Sequence, residues 1–329
     1  MTIQNVTFIG LGVMGFPMAG HLKNNNFNVT VYNRTNSKSD KWVKEYNGSS
    51  ESTPGKASQN SEVIFTCVGR DDDLREVMEG DNGILKNVKD NSIIVDHTTA
   101  SANIAKEYFD ICKKRNLHFL DAPISGGQAG AENGKLSIMI GGEQEPYQKV
   151  KPVLASYGKA IELIGPSGSG QLTKMINQIC IAGLVQGLSE ALAFGKKSKL
   201  DMEKVLNVIS KGAAQSWQME NRYKTMLEDK FDFGFAVDWM RKDLSICFEE
   251  AKKNNAKLPI TEIIDKYWSN PVEAWYDEGK NDPNLRMLRF ELVDAEIWHA
   301  DPSLKGMFKM MTGKTLNGDE MGEHDKVSL

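Results

Sequence analysis

Val6-Thr7-Phe8-Ile9-Gly10-Leu11-Gly12-Val13-Met14-Gly15 is an apolar strand run joined directly to a complete G-x-G-x-x-G. A buried strand that turns at once into a helix needs Gly10 for the tight turn. Gly12, without a Cβ, leaves room for a pyrophosphate against the backbone, and Gly15 lets the helix pack close on the strand. The helix N-terminus beyond it supplies free N–H groups and the positive end of a dipole. Inside a β-α-β pattern, residues Gly10, Leu11, Gly12, Val13, Met14 and Gly15 are therefore expected to hold a dinucleotide. A glycine-rich turn with no ligand is the other reading.

The next strand, Val29-Thr30-Val31-Tyr32, leads into Asn33-Arg34-Thr35. A unit that binds NAD usually carries Asp or Glu here, where the carboxylate accepts from the adenosine ribose. Asn33 is neutral and does not repel a 2′-phosphate. Arg34 offers a planar cation for phosphate or adenine, and Thr35 a hydroxyl donor. NADP is expected in preference to NAD, unless Arg34 is simply a solvated loop charge.

At 329 residues, with 40% hydrophobic and 26% charged residues, the chain has the composition of a globular protein of two domains. A net charge of −4 offers no footprint for nucleic acid. Apolar stretches read as too short for a membrane span, and the immediate entry into a strand reads as leaving no room for a signal peptide. Cys67, Cys112, Cys180 and Cys247 are widely spaced, with no C-x-x-C and no metal-ligand spacing. They read as buried reduced thiols of a cytosolic protein.

Residues 1–165 alternate strand and helix patterns, the mark of an α/β fold with a Rossmann-type, doubly wound parallel sheet. Strands are expected at 62–68, 92–96, 117–121, 136–140 and 160–164. Helices are expected at 38–46, 71–79, 101–115 and 146–156. Gly165-Pro166-Ser167-Gly168-Ser169-Gly170 breaks that pattern. From Gln171 to Lys196 apolar residues recur at helical spacing, roughly 40 Å of helix at 1.5 Å per residue. Further helices at 201–211, 216–227, 238–254 and 261–268 make residues 166–297 an all-helical second domain. Residues 298–329 read as a partly disordered tail, with the last dozen poorly ordered.

In such folds ligands lie beyond the carboxyl ends of the strands. The candidates there are Val68-Gly69-Arg70, Asp96-His97-Thr98-Thr99 and Asp121-Ala122-Pro123-Ile124-Ser125-Gly126-Gly127. Exposed N–H groups beside a small hydroxyl side chain suit a carboxylate, although an ordinary turn has the same residues. Lys174 follows the breaker cluster, with Asn177 and Gln178 on the same helix face. Partly desolvated, it could exchange a proton with a carbonyl oxygen as hydride arrives or leaves. As an ordinary solvated helix lysine it would do nothing.

Taken in order, these motifs resemble the β-hydroxyacid dehydrogenases, which include 3-hydroxyisobutyrate dehydrogenase and tartronate semialdehyde reductase. Gly10–Gly15 is similar to the family's cofactor loop, Asp96–Thr99 to its D-x-[ST]-T, and Asp121–Gly127 to its D-A-P-x-S-G-G. Gly170–Asn177 is similar to G-x-x-x-K-x-x-N, and Lys242-Asp243-Leu244 to K-D-L. The resemblance covers about residues 3–260. It implies Lys174 and Asn177 as catalytic residues, and Val68, Gly69, Asp73, Thr99 and Lys242 beside the cofactor. Ser125, Gly126, Gly127 and Asn177 are implied at a small, carboxylate-bearing substrate. Lys242 is implied to close the site from the second domain, and the assembly to be a homodimer or homotetramer.

The implied activity interconverts a small 3-hydroxy acid and its semialdehyde with NADP or NAD. Three departures stand out: Asp73 where Asn is frequent, His97 beside the Thr pair, and Asp282-Pro283-Asn284 in place of a D-x-S. The tail after Glu291 resembles nothing in the family. Two other functions compete: an imine reductase of the same fold, against which Lys174 argues, and a cofactor-binding scaffold or redox sensor, which would be expected to lose the proton donor. A 6-phosphogluconate enzyme would need a longer second domain.

Overall fold

The strand at the head of the chain, β1 (Asn5–Ile9), has Val6, Thr7, Phe8 and Ile9 all buried, as a strand covered on both faces must be. The computed structural model describes residues 3–267, 294–298 and 324–328. The sheet continues with β2 (Asn28–Tyr32), β3 (Ser49–Ser50), β4 (Val63–Thr66), β5 (Ile93–Asp96) and β6 (His118–Asp121). Then come β7 (Ile124–Ser125), β8 (Leu136–Gly141) and β9 (Gly158–Gly165). Their order is β3-β2-β1-β4-β5-β6-β8-β7, with β9 on β8. The chain winds one way from β1 through β2 to β3, then crosses to β4 on the other side of β1. The carboxyl end of β1, where Gly10 lies, is thus a topological switch point.

Helices cover both faces. On one, α1 (Gly15–Asn24), α2 (Asn36–Tyr46) and α7 (Gln144–Leu154) bury Met18, Leu22, Trp42, Val150 and Leu154 against β1, β2 and β8. On the other, α4 (Asp71–Glu79) and α5 (Ala102–Lys114) bury Leu74, Met78, Tyr108 and Cys112 against Ile64, Ile94 and Phe119. Between them lie the short α3 (Pro54–Ser58) and α6 (Gly127–Glu132). Local chemistry sets the helix starts. Ser101 Oγ accepts the Ile104 N–H at the head of α5. Asp71, Asp72 and Asp73 occupy the first turn of α4, where the dipole favours negative charge.

The sheet is not wholly parallel. β8 runs antiparallel to β6 and to β7, and parallel to β9. Pro123 follows β6, and Gly126 and Gly127 after β7 take φ of 140° and 60°. Those dihedrals lead into the short α6, after which the chain returns antiparallel in β8.

After β9 the chain is helical in α8 (Ser169–Lys197), α9 (Met202–Ile209), α10 (Trp217–Leu227), α11 (Val237–Asn254) and α12 (Pro259–Tyr267). Two compact units emerge: Met1–Ala182 with Asp232–Leu258, and Gly183–Phe231 with Pro259–Leu329. The sequence divides the chain at residue 165; these units divide it within α8 and set α11 with the sheet. In the second unit Leu188, Leu192, Leu206, Met219 and Tyr223 form a small core.

Of the tail, β10 (Asp294–Trp298) pairs antiparallel with β11 (His324–Ser328). β11 is a paired strand inside the stretch expected to lack order. The other tail residues, and the D-x-S replacement at 282–284, lie outside the described residues. The expectation about apolar stretches also changes. α8 has 29 residues and a window of mean hydropathy 1.3, long and apolar enough by length and composition to cross a membrane. A buried core helix satisfies the same measure.

Candidate active site

Gly10 has a φ of 98°, and a Cβ there would strike the Cys67 carbonyl oxygen; a Cβ on Gly15 would strike the Gly10 carbonyl oxygen. Both positions exclude any side chain. Gly12 differs: a Cβ built on it would meet no atom within 4 Å. The open space lies at the head of α1, where a pyrophosphate has to approach and the positive end of the helix dipole favours it. The loop therefore fits a dinucleotide, with Gly10, Leu11, Gly12, Val13, Met14 and Gly15 around it.

Asn33 does not reach outward as a ribose ligand would. Its Oδ1 accepts the Leu11 N–H at 2.9 Å, and its Nδ2 donates to the Thr35 carbonyl at 3.1 Å. It ties the end of β2 to the glycine loop. Arg34 is 87% exposed and lies 3.4 Å from Asp73, so its guanidinium is free to meet a phosphate at little cost.

The strand ends supply the rest. Val68 donates its N–H to Thr98 Oγ1 at 3.1 Å. Lys242, one turn into α11, donates to the carbonyl oxygens of Thr99 at 2.5 Å and Gly69 at 3.3 Å, and its Nζ stands 5.8 Å from the Trp239 ring centre. Gly69, Thr99 and Lys242 thus come together.

Asp121, at the end of β6, accepts from the N–H groups of Gly168 at 2.8 Å and Gln171 at 3.0 Å. A buried carboxylate there receives the free N–H groups that open α8, and so fixes where that helix starts. Burial pushes the Asp121 carboxyl up to about 6 even so. Gln171 locks the same junction, accepting from Ala100 N and donating to Thr98 O. Asp96 accepts from Thr66 Oγ1 and Thr98 N, yet burial raises it to about 7. His97 is enclosed between Phe65, Ala122 O and Tyr157 Oη, and burial lowers it to about 4. It is a neutral core residue.

One turn beyond Gln171, Lys174 is only 8% exposed, and its Nζ donates to the Ile124 carbonyl at 2.8 Å. Desolvation brings its pKa down from 10.5 to about 8; Asp243 pulls it up and Lys242 pushes it down. Ser125, the residue after Ile124, donates to Asn177 Oδ1 at 3.0 Å. Lys174, Asn177 and Ser125 are therefore gathered at one strand end, with Gly126 and Gly127 next in the chain. A Cβ on Gly127 would enter open space. The arrangement can hold an acid beside a proton source whose pKa lies near working pH.

Sequence reading assigned no task to Asp121, Gln171 or Asp243. All three stand in quoted motifs, but their partners are 50, 71 and 65 residues away. The signal available for Asp243 was its place next to Lys242.

Comparisons with known proteins identify the family and the fold. Residues 5–165 match the NAD binding domain of 6-phosphogluconate dehydrogenase, and residues 168–286 the NAD-binding domain of NADP-dependent 3-hydroxyisobutyrate dehydrogenase. Residues 258–320 match a third description, pyridoxamine 5′-phosphate oxidase like, so the tail has a likeness outside the family of the rest. An uncharacterized oxidoreductase of Shewanella frigidimarina is 58% identical over 267 residues, 81% of this chain and 92% of its own. A probable 3-hydroxyisobutyrate dehydrogenase-like protein of Arabidopsis thaliana, described as mitochondrial, is 38% identical over 88% of this chain and 87% of its own. The crystal structure of 3-hydroxyisobutyrate dehydrogenase from Salmonella typhimurium has the same fold, with a TM-score of 0.75 at 23% identity over 86% of this chain and 99% of its own. Relatives so similar over most of their length leave one conclusion: the chain belongs to the β-hydroxyacid dehydrogenase family of NAD(P)-dependent oxidoreductases.

Proposed function

We propose that the chain interconverts a small 3-hydroxy acid and its semialdehyde, preferring NADP, with Lys174 as the proton donor and acceptor. The observation that carries this reading is Lys174 itself, buried, lowered to about 8 and one residue from Ser125 through its bond to Ile124 O. Ser125 and the Gly126-Gly127 backbone bind the substrate carboxylate, and Asn177 orients the reacting oxygen. When bound, a nicotinamide cofactor would supply the hydride chemistry, to the carbonyl carbon in reduction and from the carbinol carbon in oxidation. In reduction Lys174 gives its proton to the carbonyl oxygen; in oxidation it takes the hydroxyl proton back. Leu11, Val13, Met14, Arg34, Thr35, Val68, Gly69, Asp73, Thr99 and Lys242 form the cofactor side, with Asn33 bracing the glycine loop behind them.

The assembly is a homodimer or homotetramer, for which exposed Leu184, Phe194, Leu200 and Val208 offer apolar surface. Four free cysteines suit a reducing cytoplasm, although Cys180 is exposed, contrary to the expectation that all four are buried. Cofactor oxidation measured against a panel of small semialdehydes tests the whole reading. Turnover of at least one, abolished by Lys174→Ala, is expected; no turnover of any would overturn it.

A further inference from the structure

Asp243, on α11, is 2% exposed, and the reaction just described gives it no task. Its Oδ2 accepts from Gln178 Nε2 at 2.6 Å. Gln178 Oε1 in turn accepts from Asn177 Nδ2 at 2.8 Å, and Asn177 Oδ1 accepts from Ser125 Oγ at 3.0 Å. The other oxygen, Oδ1, stands 2.8 Å from Lys242 Nζ, out of line for a hydrogen bond.

Each amide in this chain could in principle face either way, because its two ends have nearly the same shape. A carboxylate has no such choice: it only accepts. Gln178 must therefore turn its NH2 to Asp243. That leaves its carbonyl toward Asn177, which must answer with NH2. Asn177 is left with its carbonyl toward Ser125. Reversal at any one link sets two carbonyls or two NH2 groups face to face in a buried place, at the cost of an unmade hydrogen bond.

We propose that Asp243 is a positioning residue that fixes the donor–acceptor direction of the chain Gln178–Asn177–Ser125, so that Asn177 turns its carbonyl to Ser125 and holds that hydroxyl in one place at the substrate end. This deepens the proposed function and rests on it only in placing substrate at Ser125 and Asn177.

The test uses Asp243→Asn, Gln178→Glu and the two changes together in the full chain. Either single change removes the fixed direction or opposes two carboxyl groups. Together they put the accept-only group at position 178, where it takes hydrogens from both neighbours and still holds the Asn177 NH2. The KM for hydroxy acid at saturating NADP should rise about tenfold or more in each single variant. It should return to within about threefold of the parent in the pair, with NADPH affinity steady throughout.

Side-chain amide signals of Gln178 and Asn177, read by 15N NMR without substrate, provide the second arm. Asp243→Asn should move both, although Asn177 does not touch position 243, and the paired change should bring the Asn177 signal back. Unchanged KM in the single variants, a pair no better than the singles, or an Asn177 signal indifferent to position 243 would each overturn the proposal. If the parent oxidises no hydroxy acid, the proposed function fails, and the NMR arm still decides the direction of the chain.

Discussion

Lys174→Met removes a cation while nearly keeping its volume, and the structure sets opposite signs for its two effects. Burial holds the Lys174 ammonium at a pKa of about 8 in the folded chain, against 10.5 in an exposed lysine. The gap amounts to about 3 kcal/mol, the cost at neutral pH of keeping a proton on a desolvated amine. A thioether carries no such cost. It gives up the bond to Ile124 O, roughly 1 kcal/mol, so a net gain of about 2 kcal/mol in stability is expected at pH 7.

The pH dependence follows from the same pair of values. Between about 8 and 10.5 the unfolded chain binds a proton that the folded one has released, so the parent gains stability as pH rises through that window. The variant lacks this term, and its advantage should vanish by about pH 10.5. Turnover should fall by about 10²–10⁴-fold for loss of a general acid, with NADPH binding intact. Urea unfolding at several pH values, with steady-state rates on the best substrate found, measures both. A variant no more stable at pH 7, or one that keeps near-normal turnover, would mean that the buried lysine is not the strained proton donor described.

Four further outcomes are expected. Arg34→Ala should erode the preference for NADPH over NADH by roughly 1–3 kcal/mol, and Asp73→Asn should strengthen it by freeing Arg34 from a competing carboxylate; binding titrations with both cofactors check the pair. Reduction should slow as pH rises past about 8 and oxidation should quicken over the same range, since the two directions need opposite protonation states of Lys174; a flat profile in both would exclude it. His97→Leu should cost about 2–5 kcal/mol in urea unfolding, because Ala122 O and Tyr157 Oη would each lose a buried partner; a cost below ~1 kcal/mol would show that water replaces the ring. Light scattering at micromolar concentration should give a dimer or tetramer mass, and a monomer mass would refute the assembly.

What sequence reading reached depended on distance along the chain. The turn from β1 into α1 was legible because Gly10, Gly12 and Gly15 act on neighbours, and the bounds Asp71–Glu79 of α4 followed from three aspartates at a helix start. Lys174, Asn177 and Ser125 were named because motif spacing carries them. The reversed β8 was not, since its direction depends on how Gly126, Gly127, the short α6 and Gly134 together turn the chain, and glycines permit many other turns. The role of Asp243 was out of reach for a related reason: its partner Gln178 is 65 residues away, and only folded geometry shows which oxygen meets which nitrogen. Asn33 was read as a cofactor ligand by its position, whereas its side chain is spent on Leu11 and Thr35.

That bracing of the glycine loop limits how this protein could ever change its dinucleotide. From the NADP preference proposed above, the shortest route to a free ribose hydroxyl is an acidic residue at position 33. Asn33→Asp would keep an oxygen for the Leu11 N–H but set a second one against the Thr35 carbonyl, where an NH2 now donates at 3.1 Å. The repulsion would fall on the strap that orders the loop, so the new preference would arrive together with a looser grip on either cofactor. A lineage could cross that gap only by first turning the Thr35 carbonyl aside, a backbone change with no benefit of its own. Position 33 is thus held less by the ligand it selects than by the order in which substitutions would have to occur.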